Sequence, residues 1–247
     1  MSSPLVPAEP AVTGDGTPFS SIYGDVYHAA QGGLAQARHV FLAGNDLPRR
    51  WIGADSFVIL ETGFGLGLNF LATWQAWRDA ALEGRLHFVS VEKHPFRHED
   101  LTRLLAPYSE LAPLAREMLR QWPPLVPGAH RLDFDRDGLS LTLFLGDAGE
   151  LLPLLPHQVD ALYLDGFAPA RNPDLWSPAL LRALTGLCRH RATLATWSVA
   201  GQVRRALARE GWQLARRPGF GGKREMLTGC LQVQPACTPR RGNETGL

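Results

Sequence analysis

The chemistry legible in this chain starts from one glycine loop and a few acids spaced behind it. Glu61-Thr-Gly63-Phe-Gly65-Leu-Gly67 reads E-x-G-x-G-x-G, after an apolar run and before a stretch with helical spacing. Glycines let a backbone turn tightly and approach a ligand closely. The dinucleotide fingerprint G-x-G-x-x-G places its last glycine one residue later and aims a helix N-terminus at a pyrophosphate. The spacing here suits S-adenosylmethionine, which carries no phosphate and whose methionine ammonium calls for a carboxylate near the loop, supplied by Glu61. Glu92 lies 27 residues beyond Gly65, at the end of the next strand, where a carboxylate can accept both ribose hydroxyls. Asp147 follows a third strand and can accept from the adenine amino group. The competing reading is a tight strand–helix turn with incidental acids, and the matching order of loop, strands and acids opposes it.

A fourth apolar run ends in Asp165-Gly-Phe-Ala-Pro169-Ala-Arg-Asn-Pro173-Asp-Leu-Trp176. Two prolines and a glycine stiffen this loop. Asp165 can hydrogen-bond an amine, Phe167 and Trp176 can stack on a base or face a sulfonium, and Asn172 can read a polar edge. The structural alternatives are that Asp165 caps a turn and that Trp176 packs in the core. An idle carboxylate at a buried strand end would be costly.

These residues need a frame. Strands are expected at 57–61, 86–92, 139–145, 159–165 and 192–197, with two more at 212–216 and 225–233, and helices at 66–80 and 96–105. Strands alternating with amphipathic helices predict an α/β class: a seven-stranded, mostly parallel sheet with helices on both faces and ligands at its carboxyl edge. Residues 108–127 carry several prolines and read as an irregular insertion. The ends, 1–20 and 234–247, are rich in small residues and proline and read as flexible, leaving one domain over 21–233.

Composition narrows the rest. A chain of 247 residues with net charge +1 is no polycation, so any nucleic-acid contact must come from a local patch. Arg204, Arg205, Arg209, Arg216, Arg217, Lys223 and Arg224 crowd between Gly201 and Glu225, with Phe220 on a glycine-rich loop; they could grip phosphates, or simply form a solvated helix face. Three distant cysteines form no C-x-x-C pair, and His94 and His98 are separated by Pro95, so neither a disulfide framework nor a metal site is expected. No signal-peptide pattern and no apolar run of bilayer length is present, so the expectation is a cytoplasmic protein without membrane contact.

With these residues in view, the chain resembles the methyltransferase domain of the bacterial MnmC family, which makes 5-methylaminomethyl-2-thiouridine at the tRNA wobble position. The likeness runs from about Tyr23 to Gly229. It is carried by Asp25-Val-Tyr27, Arg38 to Asn45, Glu61 to Phe70, Val91-Glu-Lys93, Leu164 to Trp176, Ala195-Thr196, Ala200-Gly201, Val203-Arg-Arg205 and Gly219 to Leu227. The chain departs from the family at Leu66, where a small Thr is usual, and at Arg171, Gln202 and Gly222, where Lys, Phe and Arg are common. The resemblance implies a Rossmann-like class I S-adenosylmethionine-dependent methyltransferase. It further implies that Phe64, Asn69, Lys93 and Asp165 join the cofactor site, and that Tyr27 and Arg171 join Asn172, Trp176, Arg204, Arg205, Lys223 and Arg224 on the substrate side. The fused family form continues into a flavin-dependent oxidase domain, so the expectation for this chain is a stand-alone enzyme with no FAD, no metal and no obligate protein partner.

The expected reaction is methyl transfer from a sulfonium to the primary amine of 5-aminomethyl-(2-thio)uridine in tRNA. Such an amine has a lysine-like pKa near ~10 and must shed a proton before it attacks, and Asp165, ordinarily near ~3.9, is a poor base for it. Asp165 and Phe167 are therefore read as groups that position the reactants, proximity supplying most of the catalysis. The alternatives left open are a dinucleotide-dependent oxidoreductase, a methyltransferase of another small amine or nucleoside, and a non-catalytic RNA-binding module.

Overall fold

Period-two alternation in the central strands decides which side chains meet which helices. A computed structural model describes residues 5–152, 155 and 158–232. Its main sheet has eight strands, β4 (Ser56–Thr62), β5 (Arg85–Glu92), β6 (Gly128–Phe134), β7 (Leu139–Leu145), β8 (Val159–Leu164), β9 (Cys188–Thr196), β10 (Trp212–Pro218) and β11 (Glu225–Leu231). Their order is β10-β11-β9-β8-β4-β5-β7-β6. The pairs β5–β7, β4–β5, β4–β8 and β8–β9 are parallel, and the three pairs at the edges are antiparallel. From β4 the chain winds outward through β5 to β7, then returns to β8 on the other side of β4. That reversal opens a crevice at the carboxyl ends of β4 and β8, where ligands bind in open α/β sheets.

Phe57 and Ile59 of β4, with Ala161 and Tyr163 of β8, face one side of the sheet. There they pack with Leu34 of α1 (Gly33–Gln36), with Phe70, Leu71, Trp74 and Trp77 of α2 (Leu68–Asp79) and with α3 (His98–Leu105) and α4 (Ala112–Arg120). Leu60, Leu162 and Leu164 face the other side, against α6 (Pro178–Leu187) and α7 (Gly201–Arg209). Each of the fully buried leucines contributes roughly 1.5–3 kcal/mol of transfer free energy. The two apolar faces together fix the register of the strands whose ends carry the acids.

Three expectations are corrected. The sheet has an eighth strand, β6, which the sequence hides because it is an outer edge: Leu132 and Phe134 turn inward while Arg131 and Asp133 face solvent. Residues 108–127 are not irregular throughout, since α4 spans Ala112–Arg120 with Leu114, Ala115, Met118 and Leu119 buried. Its proline, Pro113, sits in the first turn, where a missing N–H costs no helical hydrogen bond. Finally, residues 10–12 and 18–20 are not flexible coil; they form β1 (Pro10–Val12) and β2 (Pro18–Ser20), which pair with β3 (Asp25–Val26) into a small antiparallel sheet. The expectation for 234–247 falls outside the described residues. No helix among the described residues is long and apolar enough to cross a membrane.

Candidate active site

The glycine loop leaves β4 and enters α2 in the left-handed region, with φ of 79° at Gly63, 52° at Gly65 and 74° at Gly67. Such values favour glycine. A Cβ on Gly67 would lie 2.7 Å from the Phe64 ring, and one on Gly65 would lie 3.3 Å from Tyr27. The loop therefore lies flat beneath a cavity of about 500 Å³ that reaches from Glu92 and Asp147 to Asp165 and Phe167.

Glu92 ends β5 with both oxygens directed to backbone: Oε2 accepts the Gly65 N–H (2.9 Å) and Oε1 the His94 N–H (2.7 Å). A carboxylate has about four lone-pair sites, so two remain for a ligand in the cavity. Asp147 caps the short helix α5 (Ala148–Leu151) by accepting from the Gly149 N–H at 2.9 Å, and its other oxygen meets Lys93 Nζ at 2.8 Å. That ammonium holds the Asp147 carboxyl below the usual carboxylate range.

Asp165 follows β8 and lies in the wall of the cavity. Its Oδ1 accepts the Gly166 N–H (2.8 Å) and the Trp197 indole N–H (3.1 Å), and its Oδ2 accepts the Asn69 side-chain amide (2.7 Å). Burial pushes its pKa up to about 6, against the pull of those three donors. Phe167 stacks on Tyr23 (centroids 4.5 Å apart) and meets Tyr27 edge-on at 5.0 Å. Asp25 ties this aromatic group to the loop by accepting the Ala168 N–H at 2.9 Å. Tyr23, Val26, Tyr27 and His28 thus line the cavity, a role for which the only sequence signal is the family resemblance at Asp25-Val-Tyr27. Tyr23, Asp25 and Trp197 are the contributors that residue-by-residue reasoning missed.

Two assignments are corrected. Glu61 shares parity with Phe57 and Ile59, so its side chain turns under α2 instead of into the cavity. It is fully buried, and its oxygens accept from Asn69 (2.9 Å) and Ser90 (2.6 Å). Burial raises its carboxyl well above the ordinary range, so it is a support of Asn69 and not a partner for a ligand's ammonium. Trp176 is only 3% exposed; its indole donates to the Phe167 carbonyl at 2.8 Å and its ring packs edge-on against Trp197. It shapes the loop from behind and presents no face to a substrate.

The other expected residues divide by place. Gly63, Phe64, Gly65, Asn69, Lys93 and Asn172 line the cavity, as does Tyr27, while the Phe64 ring itself stacks inward on Trp122. Gly67 shapes the loop from beneath Phe64, and Arg171 reaches toward Gly24 at the rim. Arg204 and Arg205 lie on α7 and Lys223 and Arg224 on the loop before β11, all outside the cavity lining. Lys223 rests its ammonium 4.0 Å from the centre of the ring of Trp197, the residue whose indole holds Asp165. Among the described residues no cluster of His, Cys, Asp and Glu suits a metal.

The loop after β8 is sensitive. Gly166 has φ of 133°, and a Cβ there would lie 2.3 Å from Leu175 Cδ2. Gly166→Ala should lower stability by about 1–3 kcal/mol through strain and overpacking. An unchanged midpoint in urea unfolding would show that the loop accommodates the methyl group.

The cavity walls carry Glu92, Asp147, Asp165 and Asp174 against one ammonium, Lys93, among the described residues. That balance suits a cationic ligand and repels a pyrophosphate. Fold and site together define an S-adenosylmethionine-dependent methyltransferase: the family model described as S-adenosyl-L-methionine-dependent methyltransferase matches residues 109–232, and the chain belongs to that family. Its curated relatives include the tRNA 5-methylaminomethyl-2-thiouridine biosynthesis bifunctional protein MnmC of Azoarcus sp. (strain BH72), 58% identical over 92% of this chain. The protein of the same name from Aromatoleum aromaticum is 60% identical over 92% of the chain. The chain spans 36% of the length of each of these relatives. Among solved structures, MNMC2 from Aquifex aeolicus superposes with a TM-score of 0.73 at 23% identity, covering 94% of this chain and 71% of that one, which supports the fold.

Proposed function

We propose that this protein methylates the primary amine of 5-aminomethyl-(2-thio)uridine at wobble position 34 of tRNA, giving the 5-methylaminomethyl nucleoside. The observation that carries the reading is the Asp165 carboxylate, held by three donors in the wall of the cavity built on the glycine loop. The names of the 58–60% identical relatives supply the substrate.

S-adenosylmethionine, when bound, supplies an electrophilic methyl group on a sulfonium. Glu92, with two lone pairs left, holds the ribose hydroxyls. Gly63 to Gly67 give the methionine portion a floor without side chains. Tyr23, Tyr27 and Phe167 close the cavity and exclude water. Asp165 orients the neutral amine, whose third proton has left to solvent, so that its lone pair faces the methyl carbon. A nitrogen–carbon bond forms as the carbon–sulfur bond breaks, and the product amine then sheds its extra proton. Arg171 beside Gly24, with Arg204, Arg205, Lys223 and Arg224 outside the cavity lining, would meet tRNA phosphates. Such a substrate also puts the enzyme in the cytoplasm.

Mass spectrometry of wobble nucleosides decides the reading. Aminomethyl-uridine tRNA incubated with the protein and S-adenosylmethionine should convert to the methylaminomethyl form, and unconverted tRNA under saturating conditions would refute it. Calorimetry checks the cofactor separately: S-adenosylmethionine or its demethylated product should bind and NAD should not. Tight NAD binding with none for S-adenosylmethionine would overturn the assignment.

A further inference from the structure

Asn69 stands in the first turn of α2 with two carboxylates at one end of its amide. Glu61 Oε1 is 2.9 Å and Asp165 Oδ2 is 2.7 Å from the same terminal atom. Ionised Asp165 offers only lone pairs, so the Asn69 atom facing it is the NH2 group, and that same group reaches Glu61 Oε1. The flip of the amide is therefore dictated by its neighbours. Glu61 is in turn immobilised, buried in full with Ser90 donating to its second oxygen at 2.6 Å. Both N–H groups of Asn69 are thus spent on carboxyl oxygens, and its Oδ1 accepts no hydrogen bond from a described residue although Asn69 lines the cavity.

We propose that Asn69 is the positioning residue of the transfer: Glu61 and Ser90 lock its amide so that one N–H fixes Asp165 while Oδ1 stands as a second acceptor beside it. A neutral primary amine has two N–H groups and one lone pair. Held by Asn69 Oδ1 and Asp165, both N–H groups are taken and the lone pair has one direction left. After transfer the methylated ammonium still offers two N–H groups to the same two acceptors, until one proton leaves to solvent. The buried Glu61 then has a purpose that ligand contact does not give it, since it sets the amide from behind. The amine part of this inference rests on the proposed function, whereas the hold on Asp165 does not.

The test separates the two. In the free protein, with carbon-13 in the aspartate carboxyls and Asp165→Asn for assignment, Asp165 should titrate with a raised midpoint, and the Asn69 side-chain NH2 signals should move with the same midpoint. Asn69→Leu removes the donor, so the Asp165 midpoint should rise further. With aminomethyl-uridine tRNA and cofactor both saturating, the single-turnover rate should fall at least about tenfold, the size expected from one lost hydrogen bond to a charged group. Affinity for the demethylated cofactor should stay within about threefold. Asn69→Ser, smaller and still polar, carries the same expectations if the leucine variant does not fold. Wild-type NH2 signals indifferent to the Asp165 titration would overturn the proposal, and so would an unmoved Asp165 midpoint in the variant. A variant that loses cofactor affinity tenfold while keeping its saturated rate would assign Oδ1 to the cofactor's ammonium and overturn the amine role. If tRNA is not methylated even by the wild type, the proposed function fails while the titration still judges the hold on Asp165.

Discussion

Asp165→Asn should leave a folded protein that binds cofactor nearly as well as the parent and transfers methyl groups at least about 10²-fold more slowly, the lower end of what a positioned acid–base group contributes. The fold survives because the new amide oxygen can accept the Gly166 and Trp197 N–H groups in place of Oδ1. Its NH2 group then faces the Asn69 NH2 group, donor against donor, so the local arrangement must loosen where the amine would sit. Cofactor affinity should persist because the proposed ribose contact lies at Glu92, on another strand. Single-turnover methylation with tRNA and cofactor saturating reads the effect, and a rate equal to the parent's would remove Asp165 from the mechanism. The pH profile carries a matching signature. With the carboxyl pushed up to about 6, the charge that orients the amine is present above that pH and lost as pH falls through it. The rate should therefore drop on the acid side of about 6 even after the amine's own protonation is allowed for. In Asp165→Asn that acid step should vanish.

Glu92→Ala should weaken binding of the demethylated cofactor by about tenfold or more, one or two charge-assisted hydrogen bonds at roughly 1.5–3 kcal/mol each. Two losses combine in it. The ribose loses its acceptor, and the glycine loop loses the bond from Gly65 to Oε2 that holds it in its left-handed turn. Glu92→Gln separates them, because its amide oxygen can still accept one backbone N–H while the charge is gone. Calorimetry on both variants measures the contributions. Wild-type affinity in Glu92→Ala would mean that the acid at the end of β5 serves the loop alone.

Much of the frame was readable because buried parallel strands are short apolar runs with abrupt ends. Glu92 and Asp165 were found by standing where such runs stop, and both line the cavity. Glu61 stood at a strand end too, yet points elsewhere. Its parity with Phe57 and Ile59 was in the sequence, but which face α2 would cover was not. Trp176 was ambiguous for a related reason, since an aromatic beside a proline-stiffened loop looks the same whether it meets a base or supports the loop. The eighth strand escaped because an edge strand with one solvated face shows too few apolar positions. Contacts across long stretches of chain left no trace: Asp25 meets Ala168 across 143 residues, and Trp197 meets Asp165 from the next strand of the sheet. Neither has a spacing that a motif could encode.

The contact from Asp25 to Ala168 has a further consequence, for how the molecule reaches its working form. The roof comes from the first thirty or so residues, while the loop it grips follows β8, more than half the chain later. Contacts so distant along the chain form late, because the intervening loop must be closed before they stabilise anything. A folding intermediate with the sheet assembled can hold the glycine loop and its acids in place and still lack the roofed cavity. The chamber is completed by the earliest-made part of the polypeptide folding back over a loop made more than half the chain later, so ligand retention reports that this long-range docking has occurred.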